Sequence, residues 1–189
     1  MKKTLLATTL VASLAVGMIS VPASAEVTDS VRAMISEYLN NNPGATVEDA
    51  VAVLVKANPA MAADLVGAAI EAIKLSGGDA AAIEKIVDVA IKTLLKANGG
   101  DMAAVSGLVN SLITGAVAAV GGDKALISAV TTGAMKAGVK STTLKSVLTV
   151  SGVDTTTVDE VIEIAVKTVA PKVTTGTGGG GGGGGISGG

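Results

Sequence analysis

The residues of this chain that could do chemistry are acids, hydroxyls and lysines, because its 189 residues include no histidine and no cysteine. Disulfides, thiolate metal sites and thiol nucleophiles are therefore excluded, and the serine and threonine hydroxyls have no imidazole to activate them. Adjacent carboxylates at Glu48-Asp49 and Asp159-Glu160 could in principle divide general-acid and general-base roles. Both pairs are expected in the first turn of a helix, where negative charge meets free N–H groups, and Thr46 with Asp49 and Thr157 with Glu160 have the spacing of a capping box. Ser141 and Lys145 stand four residues apart on one expected helix face, but a catalytic lysine needs burial and a shifted pKa that an exposed face does not supply. No catalytic residue is assigned, and the chain reads as a non-enzyme.

Three further acids sit in a repeated tripeptide: Gly77-Gly78-Asp79, Gly99-Gly100-Asp101 and Gly121-Gly122-Asp123, spaced by 22 residues each time. Glycine- and aspartate-rich calcium repeats need a nine-residue period and strands, whereas the sequence between these tripeptides is helical in pattern. The physics of a helix joint fits better. Glycine tolerates the left-handed conformation that ends a helix, and aspartate accepts bonds from the N–H groups that begin the next. No metal and no cofactor is expected, since the run Gly178 to Gly185 also lacks the lysine and hydroxyl of a phosphate-binding loop.

The elements that these joints separate carry apolar residues at steps of three and four. One unit has Ile83, Ile86, Val87, Ala90, Ile91, Leu94 and Leu95; the next has Val105, Leu108, Val109, Leu112, Ile113, Ala116 and Val117; a third has Ile127, Val130, Ala134 and Met135. Asn58-Pro59 occupies a comparable boundary, with Asn58 as cap and Pro59 in the first turn. Val31, Met34, Ile35, Tyr38 and Leu39 mark a first helix and Val47, Ala50, Val51, Leu54 and Val55 a second, while a brief helix from Ser141 and a last one from Thr155 to Ala170 follow the repeats. The expected fold, over residues 26–173, is all-α: an antiparallel array of about seven short helices, either a bundle or an α-solenoid built on a 22-residue helix-turn repeat. With no Phe, no Trp and only Tyr38 among the aromatics, its core must be made of small aliphatic side chains.

Outside the array lie two segments of different character. Residues 1–25 carry Lys2 and Lys3, an apolar run, and small residues at Ala23 and Ala25, which is the order of a cleaved signal peptide with the mature chain beginning at Glu26. Its removal leaves 12 basic against 16 acidic residues, a net charge of −4, with no basic cluster for nucleic acid. Residues 174–189 form a glycine-rich tail expected to be flexible.

Residues 102–122 contain no charged side chain. The length suits a membrane span, and Ala103, Gly107, Ser111, Gly115 and Ala119 make a stripe of small residues for close helix packing. Asn110, Ser106, Ser111 and Thr114 oppose insertion, and no Lys/Arg cluster or aromatic belt flanks the segment. Because it keeps the frame of its charged neighbours, it is expected to be the central helix of a soluble array, with no integral span in the mature chain.

The functional expectation is an exported protein, periplasmic or extracellular, that acts by contact as a structural, surface or matrix component or an interaction scaffold, through a protein partner or self-association. The alternative is a carrier of a lipid or other apolar small molecule in an inter-helix cavity, lined by Met34, Met61, Met102 or Met135. A membrane-active role stands further off.

Overall fold

A computed structural model describes residues 23–170 of the chain. The elements are α1 (Ala23–Asn41), α2 (Val47–Ala57), α3 (Ala62–Leu75), α4 (Ala80–Ala97), α5 (Met102–Val120), α6 (Lys124–Lys136), α7 (Ser141–Val150) and α8 (Thr155–Val169), with a single 3-10 turn, Pro59–Met61, leading into α3. The expected glycine tail lies outside the described residues, as does the expected leader apart from the start of α1. Among the described residues eight helices stand where about seven were expected. The one whose pattern the sequence hides is α3, where Leu65, Val66, Ala68, Ala69, Ile70 and Ile73 are all buried, so that no clean stripe separates apolar from polar positions.

Every helix except α7 packs most extensively on a helix two places away in the chain: α1 on α3, α3 on α5, α2 on α4, α4 on α6 and α6 on α8, whereas α7 leans most on α8. The odd-numbered helices thus form one layer and the even-numbered helices another, and the layers meet through sequential neighbours. Among the described residues no extended contact joins α1 or α2 to α7 or α8, so the array is an open α-solenoid and not a closed bundle.

Parallel running within a layer is marked by Lys74, in the last turn of α3, whose Nζ donates to the carbonyls of Ala119 at 2.8 Å and Val120 at 3.4 Å in the last turn of α5. The uncharged α5 has no basic residue of its own there, so its neighbour supplies the cation that the helix C-terminus favours. Ion pairs cross the same seams: Arg32 with Glu71 between α1 and α3, Lys136 with Glu84 between α6 and α4, and Lys124 with Glu160 between α6 and α8. These partners are largely exposed, and each such pair contributes only about 0–1 kcal/mol. They mark register, while burial of the aliphatic core supplies the stability.

The core takes Ile83, Ile86, Val87, Ala90, Ile91 and Leu94 from α4 and Leu112, Ile113 and Ala116 from α5. The most enclosed helix is α6, in which every residue from 129 to 134 is buried. It packs against α4, α5, α7 and α8. Its Thr131 satisfies its hydroxyl on the Ile127 carbonyl at 2.8 Å, and Gly133 lets the α4 backbone approach so closely that a Cβ there would overlap the Glu84 carbonyl.

Candidate functional site

At the Gly-Gly-Asp joints the chain does two things in three residues. Gly77, Gly99, Gly100, Gly121 and Gly122 have positive φ, and Gly78 and Gly100 donate their N–H groups back to Ile73 and Leu95 at 2.8 and 2.7 Å, closing the preceding helix. Asp79, Asp101 and Asp123 then cap the next helix, accepting from Ala82, Ala103 and Ala125, with Asp123 also accepting from Leu126. At the other boundary, Asn58 ends α2 with its backbone and makes no side-chain cap bond, and Pro59 opens the 3-10 turn.

Two more joints share this scheme and were not visible as repeats. Gly138 and Gly152 have φ of 98° and 83°, and Val139 and Val153 donate to Ala134 and Leu148 at 3.0 and 3.1 Å. Asp154 then caps α8, accepting from the Thr157 N–H at 2.9 Å. The sequence signal was there in Gly138-Val139-Lys140 and Gly152-Val153-Asp154, hidden because valine replaces the second glycine. Lys140 stands where the other four have aspartate, and α7 begins with no side-chain cap.

The carboxylate pairs part company. Thr46 and Asp49 form a reciprocal cap at the start of α2, and the bonds from the Thr46 backbone N–H and hydroxyl hold Asp49 below the usual carboxylate range. Asp159 and Glu160 lie beyond the first turn of α8, because the capping residue is Asp154 and not Thr157, so the expected box between Thr157 and Glu160 does not form. Asp159 instead accepts from Lys145 of α7 at 2.6 Å and Glu160 pairs with Lys124 of α6. Lys145 is thereby engaged away from Ser141. No group of three or more metal-ligating side chains occurs among the described residues.

The uncharged helix is not the most enclosed member of the array, a place that α6 takes. Val105, Val109, Leu112, Ile113, Ala116, Val117 and Val120 of α5 are buried, but Ala103, Ala104, Gly107, Ser111, Thr114 and Ala118 are exposed. Among the described residues α5 alone is long and apolar enough to cross a membrane, with 39% of its most apolar window buried. The small-residue stripe does not form one seam. A step of four residues turns an α-helix by about 40° beyond a full turn, so Ala103, Gly107 and Ser111 face outward while Gly115 and Ala119 wind round toward α3. A Cβ on Gly115 would lie 3.1 Å from the Ala63 carbonyl oxygen, whereas one on Gly107 would meet nothing within 4 Å.

The largest departure from regular packing is between α5 and α7, which touch far less than α6 and α8 do across the other layer. A cleft opens at each end of this seam. One, of about 370 Å³, lies among Val117, Gly121, Gly122, Ser151, Asp154 and Thr157. The other, of about 410 Å³, is lined by Met102, Ser106, Val109 and Asn110 from α5 and by Val139, Lys140 and Thr143 from the start of α7. The Asn110 Oδ1 is shut off from solvent and accepts no hydrogen bond. Of the methionines considered as pocket liners, Met102 lines this cleft and Met34 a shallower one beside Tyr38. Met61 and Met135 pack against the core.

No protein-family model, no curated protein and no solved structure matches the chain.

Proposed function

We propose that this chain is an exported, non-enzymatic protein that works by contact, as a structural or surface component or scaffold that associates with further copies of itself. The observation that carries the reading is the outward face of α5, where Ala103, Gly107, Ser111, Thr114 and Ala118 are exposed and no charge intervenes. A chain of net negative charge repels its own copies, and that repulsion is least where neither copy carries a charge. Small side chains on such a face also let a second backbone approach closely. The leader-like residues 1–25 support export.

Sedimentation of the processed chain over a concentration series, alongside Ser111→Lys, tests this. Self-association that the lysine abolishes without changing the helical circular dichroism is the expected result. A monomer at every concentration, or recovery of the chain in membranes washed at high pH, overturns it.

The second reading, a carrier of a lipid or other apolar small molecule, is favoured by one specific feature: the unfilled seam between α5 and α7, with Met102, Val109 and Val139 lining one of its clefts. Native mass spectrometry of the protein from its own host tests for a bound small molecule.

A further inference from the structure

We propose that the turn between α7 and α8 of one copy of this chain inserts into the groove between α2 and α4 of another, linking pairs formed through the outward face of α5 into open-ended assemblies. The inference rests on the self-association reading and adds a second, head-to-tail contact to it.

The groove, of about 400 Å³, lies between the C-terminal turns of α2 and α4. Ala52 and Val53 from α2 and Ala97 from α4 make it aliphatic, and Val53 is left 47% exposed. Lys56 and Lys96 also line it, and among the described residues neither has a carboxylate within ion-pair reach. Asp101, the acid nearest to Lys96 in sequence, is committed to capping α5. The complement of this groove is an aliphatic side chain with a negative charge beside it.

The chain carries such a tip. Val150, the last residue of α7, is 84% exposed, and Asp154 follows it across the turn. Lys145, the nearest lysine in sequence, is already paired with Asp159, so the turn presents net negative charge. Leu75 at the end of α3 is nearly as exposed, but Lys74 beside it brings a third cation to a groove that already has two. Charge therefore selects the Val150 turn.

Placement makes the contact open-ended. Connections alternate between the two edges of the array, so the groove borders the α2–α3 and α4–α5 joints on one edge while the α7–α8 joint lies on the other. Tip and groove also belong to opposite ends of the solenoid, so a chain does not fill its own groove. A knob that meets a pocket elsewhere on the surface makes a heterologous contact, and each such contact leaves one tip and one groove free. One turn in one groove is far smaller than a stable interface and does not hold two copies alone. In a pair joined through α5, two tips and two grooves act together, and effective concentration makes the small contact count.

Sedimentation velocity of the full processed chain over a concentration series tests this, with Val150→Asp and the double variant Lys56→Glu/Lys96→Glu alongside. The unaltered chain is expected to grow beyond a dimer as concentration rises and to fall back towards the dimer in high salt. Both variants should stop at the dimer with unchanged helical circular dichroism, because all three altered side chains are exposed. Mixing the two variants should restore species larger than a dimer, since each supplies the surface that the other lacks, and misfolding cannot produce that recovery. An unaltered chain that stops at the dimer, growth that neither variant changes, or no recovery on mixing overturns the tip-in-groove contact and leaves self-association through α5 standing. A chain that stays monomeric at every concentration removes both.

Discussion

The seam between α4 and α6 and the seam between α5 and α7 join helices two places apart in the same solenoid, yet they are built in opposite ways. In the first, Gly133 brings two backbones together, Glu84 and Lys136 pair across the contact, and Val87, Val130 and Ala134 are buried. In the second, the ten-residue α7 lies beside the 19-residue α5 and cannot cover it, and clefts open at both ends. A helical array can thus pack regularly through one layer while the other layer is looser. Interior packing is dense and intolerant of added volume. A small molecule carried within the array is better placed on the looser side.

The largest effect that separates the two seams is expected from Gly133→Ala. Alanine gains about 1 kcal/mol of helix propensity over glycine, but here its Cβ would overlap the Glu84 carbonyl and press on Val87. Backbone has to move, and overpacking of this kind costs typically about 1–3 kcal/mol. Urea denaturation should therefore show a clear net loss of stability, and a neutral result would break the contrast between the seams. Next in size is Lys140→Asp on the loose side, where restoring the acceptor present at the other joints should stabilise by about 1 kcal/mol. An unchanged midpoint would mean that α7 already has its cap. Gly107→Ala is expected to stabilise by roughly 0.5–1 kcal/mol, since the propensity gain acts alone where nothing lies within 4 Å. A loss there would show that the outer face of α5 is occupied in the sample measured.

The helical class and most of the core were legible because the aliphatic residues recur at helical steps: Ile83, Ile86, Val87, Ala90, Ile91 and Leu94 are buried as their spacing demands. Helix-to-helix partnership was not legible, because the same stripes serve a bundle or a solenoid and only the lengths and angles of the folded array select the neighbour. Lack of charge on α5 was equally ambiguous, since an uncharged side can be hidden or exposed, and α6, with Lys124 and Lys136 at its ends, proved the more enclosed helix. The loose seam was readable in principle from Lys140 standing in an aspartate position. That reading required recognising Gly138-Val139-Lys140 as a joint, and valine in place of glycine concealed it.

The smallest expected effect concerns the far end of the same seam. The Thr157 hydroxyl and N–H bonds hold Asp154 below the usual carboxylate range in the folded chain. A depressed folded pKa means that the stabilisation is present above the ordinary carboxylate pKa and is lost as pH falls through the folded value. An asparagine at this position would also cap α8 but would not titrate, so in Asp154→Asn the loss of stability on acidification should be shallower. Asp49→Asn offers the matched control, because Asp49 is depressed by its own reciprocal cap on α2, within the regularly packed even layer. If the α5–α7 seam is the weaker one, acid should open the amides of α7 and α8 to hydrogen exchange before those of α2 and α4, and Asp154→Asn should delay that opening while Asp49→Asn leaves it unchanged. Uniform exchange of all these helices at low pH would instead show that the solenoid unfolds as one unit and that the gap beside α7 has no consequence for its stability.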